Sequence, residues 1–468
     1  MARPAWGRTG NLVDAVAGVP ARSGSGSDLP EKCRLLLAVG FVAVLATPAV
    51  AQIVPTQQSA PQVGDNDDEP LRGSGSLPGL GGFPGRGLSL RSSLATRYED
   101  NIGRQLVADA GFRIRPQLDA AYGLALGRQG LYVQGSLARD MFIDTDFLPD
   151  RDRYSAGAGL SYQLSRCTGE AGASWLRSLA FLTDAIAFGG FQQERTNFGV
   201  SANCRIGGSL SVQGSVNRQF VETEQGVSNA FNFNSWNYSA GLGFGNAGLG
   251  QFSLSGSITD SSMPGRLVIT PTGLADDGLM QRNVRFGYQR KFGSRINVSA
   301  GLSYINTQPS LPETIVIIDD VPQLVPREGF SGLGFDVGLD LTLSPRLSID
   351  LTSTRSTFVN PVVGAQFTVF TAYAGSLRYR LNDRYSVVIG ASRRENSFRG
   401  GFVSDLQPFL RVSDNIDRLF GQFNAQLGRR MRLGIDLSHN RRRSNPAIGN
   451  FNSTGLGLNL GFDLVRSR

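Results

Sequence analysis

The segment Gly455–Leu464 alternates two classes of side chain without a break, reading Gly-Leu-Gly-Leu-Asn-Leu-Gly-Phe-Asp-Leu. One parity carries only large apolar residues, and the other carries only glycine, asparagine and aspartate. Successive side chains of a β-strand point to opposite faces, so the segment predicts a strand with one apolar and one small polar face. A sheet that meets lipid on one side and water on the other accounts for this contrast.

Segments with the same alternation recur from residue 88 onward and predict an all-β chain. Soluble sandwich strands also alternate, but here glycine and amide side chains dominate the polar parity. The repetition is typical of a transmembrane outer-membrane β-barrel with about 18 antiparallel strands, which is wide enough for an aqueous channel. The predicted strands span 88–99, 112–126, 130–139, 153–165, 170–181, 195–206, 209–220, 234–245, 250–259, 282–292, 295–306, 331–343, 346–356, 367–381, 384–394, 414–428, 431–441 and 453–465.

The connections between these segments alternate in length. Short ones such as LGRQG, RIGGS and LNDR are separated by long links, among them 259–281 and 307–329. Outer-membrane barrels have short periplasmic turns and long outer loops, whereas a soluble sandwich has no reason to sort its loops in this way. An even strand count puts the start of the first strand and the end of the last strand on the periplasmic side. Arg177 lies on the apolar parity of the fifth span, which predicts a bulge or a short strand there.

Charge and composition exclude one large class of function. The net charge of the 468-residue chain is +8, yet charged residues are only 18% and glycine numbers 59. Almost all of the positive charge is arginine, because lysine occurs only at Lys32 and Lys291. A nucleic-acid-binding surface usually clusters its basic residues, and these are scattered along predicted strands and turns. We expect no nucleic-acid partner.

The N-terminal part predicts export. The apolar run 35–46 follows Lys32 and Arg34, is too short to span a bilayer, and precedes the small-residue pattern Ala49-Val50-Ala51. We therefore expect a signal peptide with an extended n-region over 1–51. The Pro-, Gly- and Asp-rich stretch 52–86 cannot bury a core and predicts a disordered periplasmic tail, with insertion into the lumen as an alternative. The barrel domain then covers 87–468, in the bacterial outer membrane.

The candidate functional residues are the charged side chains on the polar parity. They either form a conduit that holds a hydrated solute, or simply pair with one another in a wet lumen. Clustered arginines would favour an anionic solute, since guanidinium matches carboxylate geometry. The predicted lumen-facing residues are Arg91, Arg97, Arg113, Arg115, Asp119, Arg285, Asp336, Asp340, Asp350, Arg378, Arg380, Arg394, Asp436 and Asp463.

Cysteine and histidine positions suggest no catalysis. Cys167 and Cys204 fall at the periplasmic rim of the fifth and sixth strands, where an oxidising compartment favours a disulfide over two unpaired thiols. His439 is the single histidine, and Arg441 stands where outer-membrane phospholipases carry a serine. No catalytic motif or metal-ligand cluster occurs, so we expect no enzyme activity, no metal and no cofactor. The basic segment 440–445 is expected to form an outer loop and is a candidate for binding lipopolysaccharide phosphate.

The residues Arg97-Tyr98-Glu99-Asp100-Asn101-Ile102 resemble the Tyr-Asp-Asp-Asn-Ile/Leu signature of the β-barrel porin 2 family, with Glu99 replacing its first Asp. That family resembles outer-membrane barrels encoded with exopolysaccharide synthesis and export genes. The resemblance implies exopolysaccharide export across the outer membrane, beside a periplasmic polysaccharide-export protein. It covers residues 88–468.

We therefore predict a polysaccharide conduit with no chemistry of its own. A general diffusion porin for small hydrophilic solutes and a surface structural or adhesive barrel are the alternatives. The expected partners are outer-membrane lipid, lipopolysaccharide, the transported polymer or solute, and the barrel assembly machinery. Barrels that this machinery recognises typically end in an aromatic residue, and we expect Phe462 to serve in that role here.

Overall fold

A computed structural model describes residues 87–104, 107–145, 148–181, 190–223, 232–246, 248–318, 321–359, 365–400, 413–445 and 447–465. Within these ranges the chain forms strands joined by turns, with one short 3-10 turn at Ala447–Gly449. The strands are β1 Gly87–Glu99, β2 Gly111–Leu126, β3 Gln129–Ile143, β4 Arg151–Leu164, β5 Cys167–Phe181, β6 Gly190–Gly207, β7 Leu210–Thr223, β8 Phe233–Asn246, β9 Gly250–Thr270, β10 Gly273–Phe292, β11 Ile296–Pro309, β12 Glu313–Ile318, β13 Val321–Pro326, β14 Phe330–Ser344, β15 Leu347–Val359, β16 Phe367–Arg380, β17 Tyr385–Arg399, β18 Ser413–Leu427, β19 Met431–Asn445 and β20 Phe451–Val465.

Eighteen of these strands form one closed antiparallel barrel, as the alternation predicts. Each barrel strand pairs with its neighbours in chain order, and β1 pairs with β20 from Glu99↔Gly455 to Leu90↔Val465. Closure removes the unpaired edges that an open sheet would present to lipid. The strands β12 and β13 pair only with each other, in the link between β11 and β14.

The outer surface of the barrel is apolar. Leu242, Leu302 and Leu456 lie on the outward parity and are 51%, 55% and 55% exposed. Stacked aromatic pairs flank this band, with Tyr154 on Trp175 toward the long-loop end and Tyr385 on Phe423 toward the short-turn end. An apolar band with aromatic girdles around a closed antiparallel barrel is the architecture of outer-membrane proteins. The chain is a bacterial outer-membrane β-barrel.

Three sequence expectations differ from the structure. The predicted loop 259–281 is largely strand, because β9 and β10 continue pairing up to Thr270↔Gly273. Strand β5 is regular from Cys167 to Phe181, without the bulge expected at Arg177. The segment 440–445 belongs to β19 and is not a loop. In each case cross-strand pairing continues through polar residues, which a prediction based on apolar alternation truncates.

The long connections mark one end of the barrel, here called the outer mouth, and the short turns mark the other. No helix in the described ranges is both long and apolar enough to cross a bilayer. The expected signal peptide 1–51 and tail 52–86 lie outside the described residues, so the domain boundary at residue 87 stays a prediction.

Candidate functional site in the barrel lumen

The inward faces of the strands surround a central cavity of about 1240 Å³. Of the charged residues predicted to face the lumen, seven line this cavity: Arg97, Arg285, Asp336, Asp340, Asp350, Arg378 and Asp436. Cross-strand register puts the others on the same inward faces: Arg91, Arg113, Arg115, Asp119, Arg380, Arg394 and Asp463. The cavity is therefore lined by β1, by β5 to β11 and by β14 to β20.

Two ion pairs hold charged side chains against the wall of the cavity. Arg285 donates to both carboxylate oxygens of Asp336, at 2.8 and 2.5 Å. Arg97 donates to Asp436 at 2.5 Å and to the Ser438 hydroxyl at 2.5 Å. Bidentate and charge-assisted contacts fix the direction of a guanidinium as well as its charge. Arg285 and Arg97 therefore carry their own counter-charges in the cavity wall.

Strands β6 to β9 contribute a contiguous uncharged surface, here called the neutral wall, which on β6 lies between the inward residues Arg195 and Arg205. Its inward positions are Asn197, Gly199, Ser201, Asn203, Ser211, Gln213, Ser215, Asn217, Gln219, Ser235, Asn237, Ser239, Gly241, Gly243, Ser253, Ser255, Ser257 and Thr259. Hydrogen bonds join these side chains across strands, as in Ser215–Ser239 at 2.7 Å and Asn237–Thr259 at 2.7 Å. Hydroxyl and amide groups both donate and accept, so the wall can also bond a solute.

The outer mouth is narrowed by the end of the β15–β16 hairpin. Pairing of β15 with β14 ends at Phe335↔Arg355, although β14 continues to Phe330 and β15 continues beside β16 to Val359↔Phe367. The hairpin end thus leaves the wall. Its apolar residues pack against inward side chains of β7 to β10 in the mouth cluster: Val221, Phe233, Met263, Leu279, Val359, Phe367 and Val369.

A buried carboxylate fixes the hairpin end in this position. Asp277 on β10 accepts hydrogen bonds from Arg327 at 2.7 and 3.0 Å and from the amide of Gln366 at 2.5 Å. Arg266 on β9 pairs with Asp277 at 3.1 Å and donates to the Ala365 carbonyl at 2.6 Å. The Arg327 and Asp277 side chains are 0% exposed. Polar contacts to Asp277 and apolar contacts in the mouth cluster therefore hold the same end of the β15–β16 hairpin.

Burial lowers the pKa of one arginine in this cluster, Arg266. Arg266 lies beyond the last pair of β9 with β8, which is Asn234↔Ser262, and so outside the membrane-spanning wall. Desolvation lowers the pKa of its guanidinium, while the Asp277 carboxylate opposes that shift.

The residues Tyr98–Asn101, which carry the family resemblance, form the seam between β1 and β20. Glu99 accepts from Arg97 at 2.5 Å, and Asp100 accepts from the main-chain amide of Thr454 at 2.7 Å. Asn101, 2% exposed, donates to the Asn452 carbonyl at 3.1 Å. Tyr98 points outward and packs on Phe112, with ring centroids 5.0 Å apart. These residues join the first strand to the last and do not line the cavity.

The remaining sequence candidates lie on the outer surface or the rim. Cys167 and Cys204 are directly paired across β5 and β6 and form a disulfide. His439 lies on the outward parity of β19, with its Nδ1 3.0 Å from the Thr454 hydroxyl. Within 440–445, Arg442 is buried against Asp414 at 2.5 Å, so it contributes nothing to a lipopolysaccharide surface. In the described ranges no three potential metal ligands come together.

Two groups of residues are absent from the candidate set that the sequence predicts. The neutral wall is visible in the sequence only as a run of polar parities without Asp, Glu, Lys or Arg, and a search for charged residues passes over it. Asp277 lies on β10, whereas Arg327 and Gln366 lie in the connections before β14 and β16. Their association depends on contacts between residues 50 to 89 positions apart.

No protein-family model and no curated protein matches the chain. Among solved structures, Pseudomonas aeruginosa OccK2 (OpdF) in complex with glucuronate is similar, with 10% identity, a TM-score of 0.45, and coverage of 81% of this chain and 98% of that chain. Acinetobacter baumannii OccAB2 is 12% identical, with a TM-score of 0.44 and coverage of 81% and 98%. A BenF-like porin from Pseudomonas fluorescens Pf-5 is 9% identical, with a TM-score of 0.43 and coverage of 81% and 99%.

Proposed function

We propose that the protein is a passive diffusion channel for small hydrophilic solutes. The observation that carries this proposal is the polar cavity of about 1240 Å³ inside a closed eighteen-stranded barrel. Barrels of this size enclose an aqueous lumen, and every strand contributes polar or small residues to it. The channel does no chemistry of its own, and solute movement follows the concentration gradient.

Conductance in planar lipid bilayers tests this proposal. Purified, refolded protein should insert and produce stepwise current increases in symmetric potassium chloride. Protein that is heated until the barrel unfolds, and is added in the same detergent, is the control and should produce none. A folded wild-type barrel that inserts but never conducts would contradict the proposal.

Exopolysaccharide export is the second candidate, and it depends on the resemblance of residues 97–102 alone. Those residues form the β1–β20 seam, a role that any closed barrel needs. A deletion strain separates the two functions. Loss of small-solute uptake with normal surface polymer would support the diffusion channel. Loss of surface polymer with normal solute uptake would support export.

A surface structural or adhesive role would leave both phenotypes unchanged. The deletion strain would then take up small solutes normally and make normal surface polymer, while its attachment to surfaces would fall. That result, together with bilayers that show no current, would favour this third alternative.

A further inference from the structure

The neutral wall presents a regular array of hydroxyl and amide groups. Neighbouring strands bring inward side chains about 4.8 Å apart across the sheet, and alternate residues recur at about 6.7 Å along each strand. Asn203, Gln213, Ser215, Asn237, Ser239 and Ser257 line the cavity in this array. Each can donate and accept, and none offers a charge. Such a surface matches a solute that carries many neutral donor and acceptor groups at short spacing.

The opposite wall of the cavity carries the aromatic side chain of Phe420. Phe420 on β18 lines the cavity, and eight barrel strands lie between β18 and β7 in either direction around the ring. Its ring packs against Gly390 of the neighbouring strand, where an added Cβ would lie only 2.3 Å from Cζ. The Arg418 guanidinium of the same strand lies over this ring, 5.8 Å from its centroid. A sugar ring whose apolar C–H face stacks on Phe420 would therefore also lie beside this guanidinium, which can donate to its hydroxyls.

Two of the arginines that line the cavity, Arg285 and Arg97, already have counter-charges. The Arg285 guanidinium is bound by Asp336, and the Arg97 guanidinium is bound by Asp436 and Glu99. A carboxylate solute at this level would have to compete with an existing ion pair, and the neutral wall gives it no counter-charge. A neutral solute exchanges water hydrogen bonds for wall hydrogen bonds without this competition.

We propose that the lumen contains a saccharide-binding surface that prefers neutral sugars, with hydroxyls bound by the neutral wall and a ring face stacked on Phe420. The proposal deepens the diffusion-channel function and rests on it. It assigns the substrate class as neutral polyhydroxylated solutes, in preference to acidic ones of the same size.

Calorimetry and single-channel recording together test the preference. Cellotriose and its uronate analogue, in which the C6 hydroxymethyl group of one glucose is a carboxylate, keep the same three rings and differ by one charge. Both are titrated into the full-length protein in detergent and in bilayers. We expect cellotriose to bind and to interrupt the channel current, with an affinity at least about five-fold higher than that of the uronate, a difference equivalent to about one net hydrogen bond. Equal affinity, or a preference for the uronate, in a protein that conducts would overturn the inference alone.

Variants show whether the proposed surface is responsible. Ser215→Ala combined with Ser239→Ala, and Phe420→Ala separately, should each weaken cellotriose binding about five-fold or more. The matched control is Ser136→Ala with Ser155→Ala, which removes another inward cross-strand hydroxyl pair at 3.0 Å outside the cavity and should change binding less than two-fold. If the control weakens binding as much as the wall variants, the assignment to the neutral wall is wrong.

The two proposals fail in different ways. Cellotriose binding without any current would contradict the diffusion channel but keep the binding surface. Current without a preference for cellotriose would contradict the binding surface but keep the channel.

Discussion

The guanidinium of Arg327 donates to both carboxylate oxygens of Asp277, at 2.7 and 3.0 Å, and neither side chain has any solvent exposure. Arg327 lies in the connection before β14, and Asp277 lies on β10. A third group, Gln366, precedes β16 and donates to the same carboxylate. One buried charge therefore joins strand β10 to two connections at the outer mouth. The first prediction concerns the loss of that charge.

Replacing Asp277 with asparagine should loosen the outer mouth. The substitution leaves Arg327 and Arg266 buried without their counter-charge, and breaking one side of a buried ion pair costs about 3–5 kcal/mol. We expect amide hydrogen exchange at residues 365–369 to become at least about 100-fold faster, which corresponds to about 3 kcal/mol of local opening. Hydrogen-exchange mass spectrometry of the detergent-solubilised protein measures this effect.

The control for Asp277→Asn is Glu328→Gln. It removes one partner of the exposed Arg399–Glu328 pair, whose side chains are 45% and 59% exposed. Exposed pairs contribute about 0–1 kcal/mol, so exchange should change less than about five-fold. Similar rates in the two variants would show that the buried cluster does not hold the mouth.

Replacing Phe367 with alanine should widen the channel. Phe367 is fully buried in the mouth cluster, and truncating a buried phenylalanine costs about 3–5 kcal/mol. The hairpin end should leave its position more often, and the mean single-channel conductance should rise. Leu333→Ala is the control, because Leu333 is 60% exposed on the outward face. Unchanged conductance in a folded Phe367→Ala protein would mean that the mouth cluster does not limit ion flow.

Replacing Asn101 with alanine should weaken barrel closure. Asn101 is buried and bonds to the main-chain carbonyl of Asn452 across the seam, so its loss costs about 1–3 kcal/mol. The temperature at which the folded band disappears on SDS gels should fall. Asn452→Ala keeps the carbonyl acceptor and removes only an exposed side chain, so it should migrate like the wild type. An equal fall in both variants would contradict a specific role for Asn101.

The Arg285–Asp336 pair should set the ion preference of the lumen. Asp336→Asn leaves a partly exposed guanidinium in the cavity and should shift the reversal potential in a potassium chloride gradient toward chloride selectivity. Arg285→Gln should shift it toward potassium. Arg399→Gln removes the same charge at the exposed rim and should leave the reversal potential nearly unchanged. Shifts of the same sign in Asp336→Asn and Arg285→Gln would refute the assignment.

The extent of the barrel could be predicted where apolar alternation is unbroken, as in Gly455–Leu464. It was underestimated where polar residues continue a strand, as at Asp260 and Ser261 of β9, which pair with Met280 and Leu279. Main-chain pairing there needs a partner strand and not an apolar side chain, so the side-chain pattern carries little information. For the same reason the sequence did not predict the regular strand through Arg177.

Residues on the outward parity of one strand lie in two different environments in this protein. Leu351 and Val359 share that parity on β15, yet Leu351 is 44% exposed on the lipid side and Val359 is fully buried in the mouth cluster. Nothing in their immediate sequence separates them. The difference arises because β15 leaves β14 after Arg355, which depends on packing partners on distant strands.

By itself the sequence determined the strand number, the two faces of each strand and the outer-membrane location. These follow from a two-residue period and from loop lengths, which are local properties of the chain. Only the tertiary structure decided how the lumen is divided into charged and neutral surfaces and how the outer mouth is narrowed. Those features depend on register around the closed ring and on buried contacts such as Asp277–Arg327, which form between residues far apart in the chain.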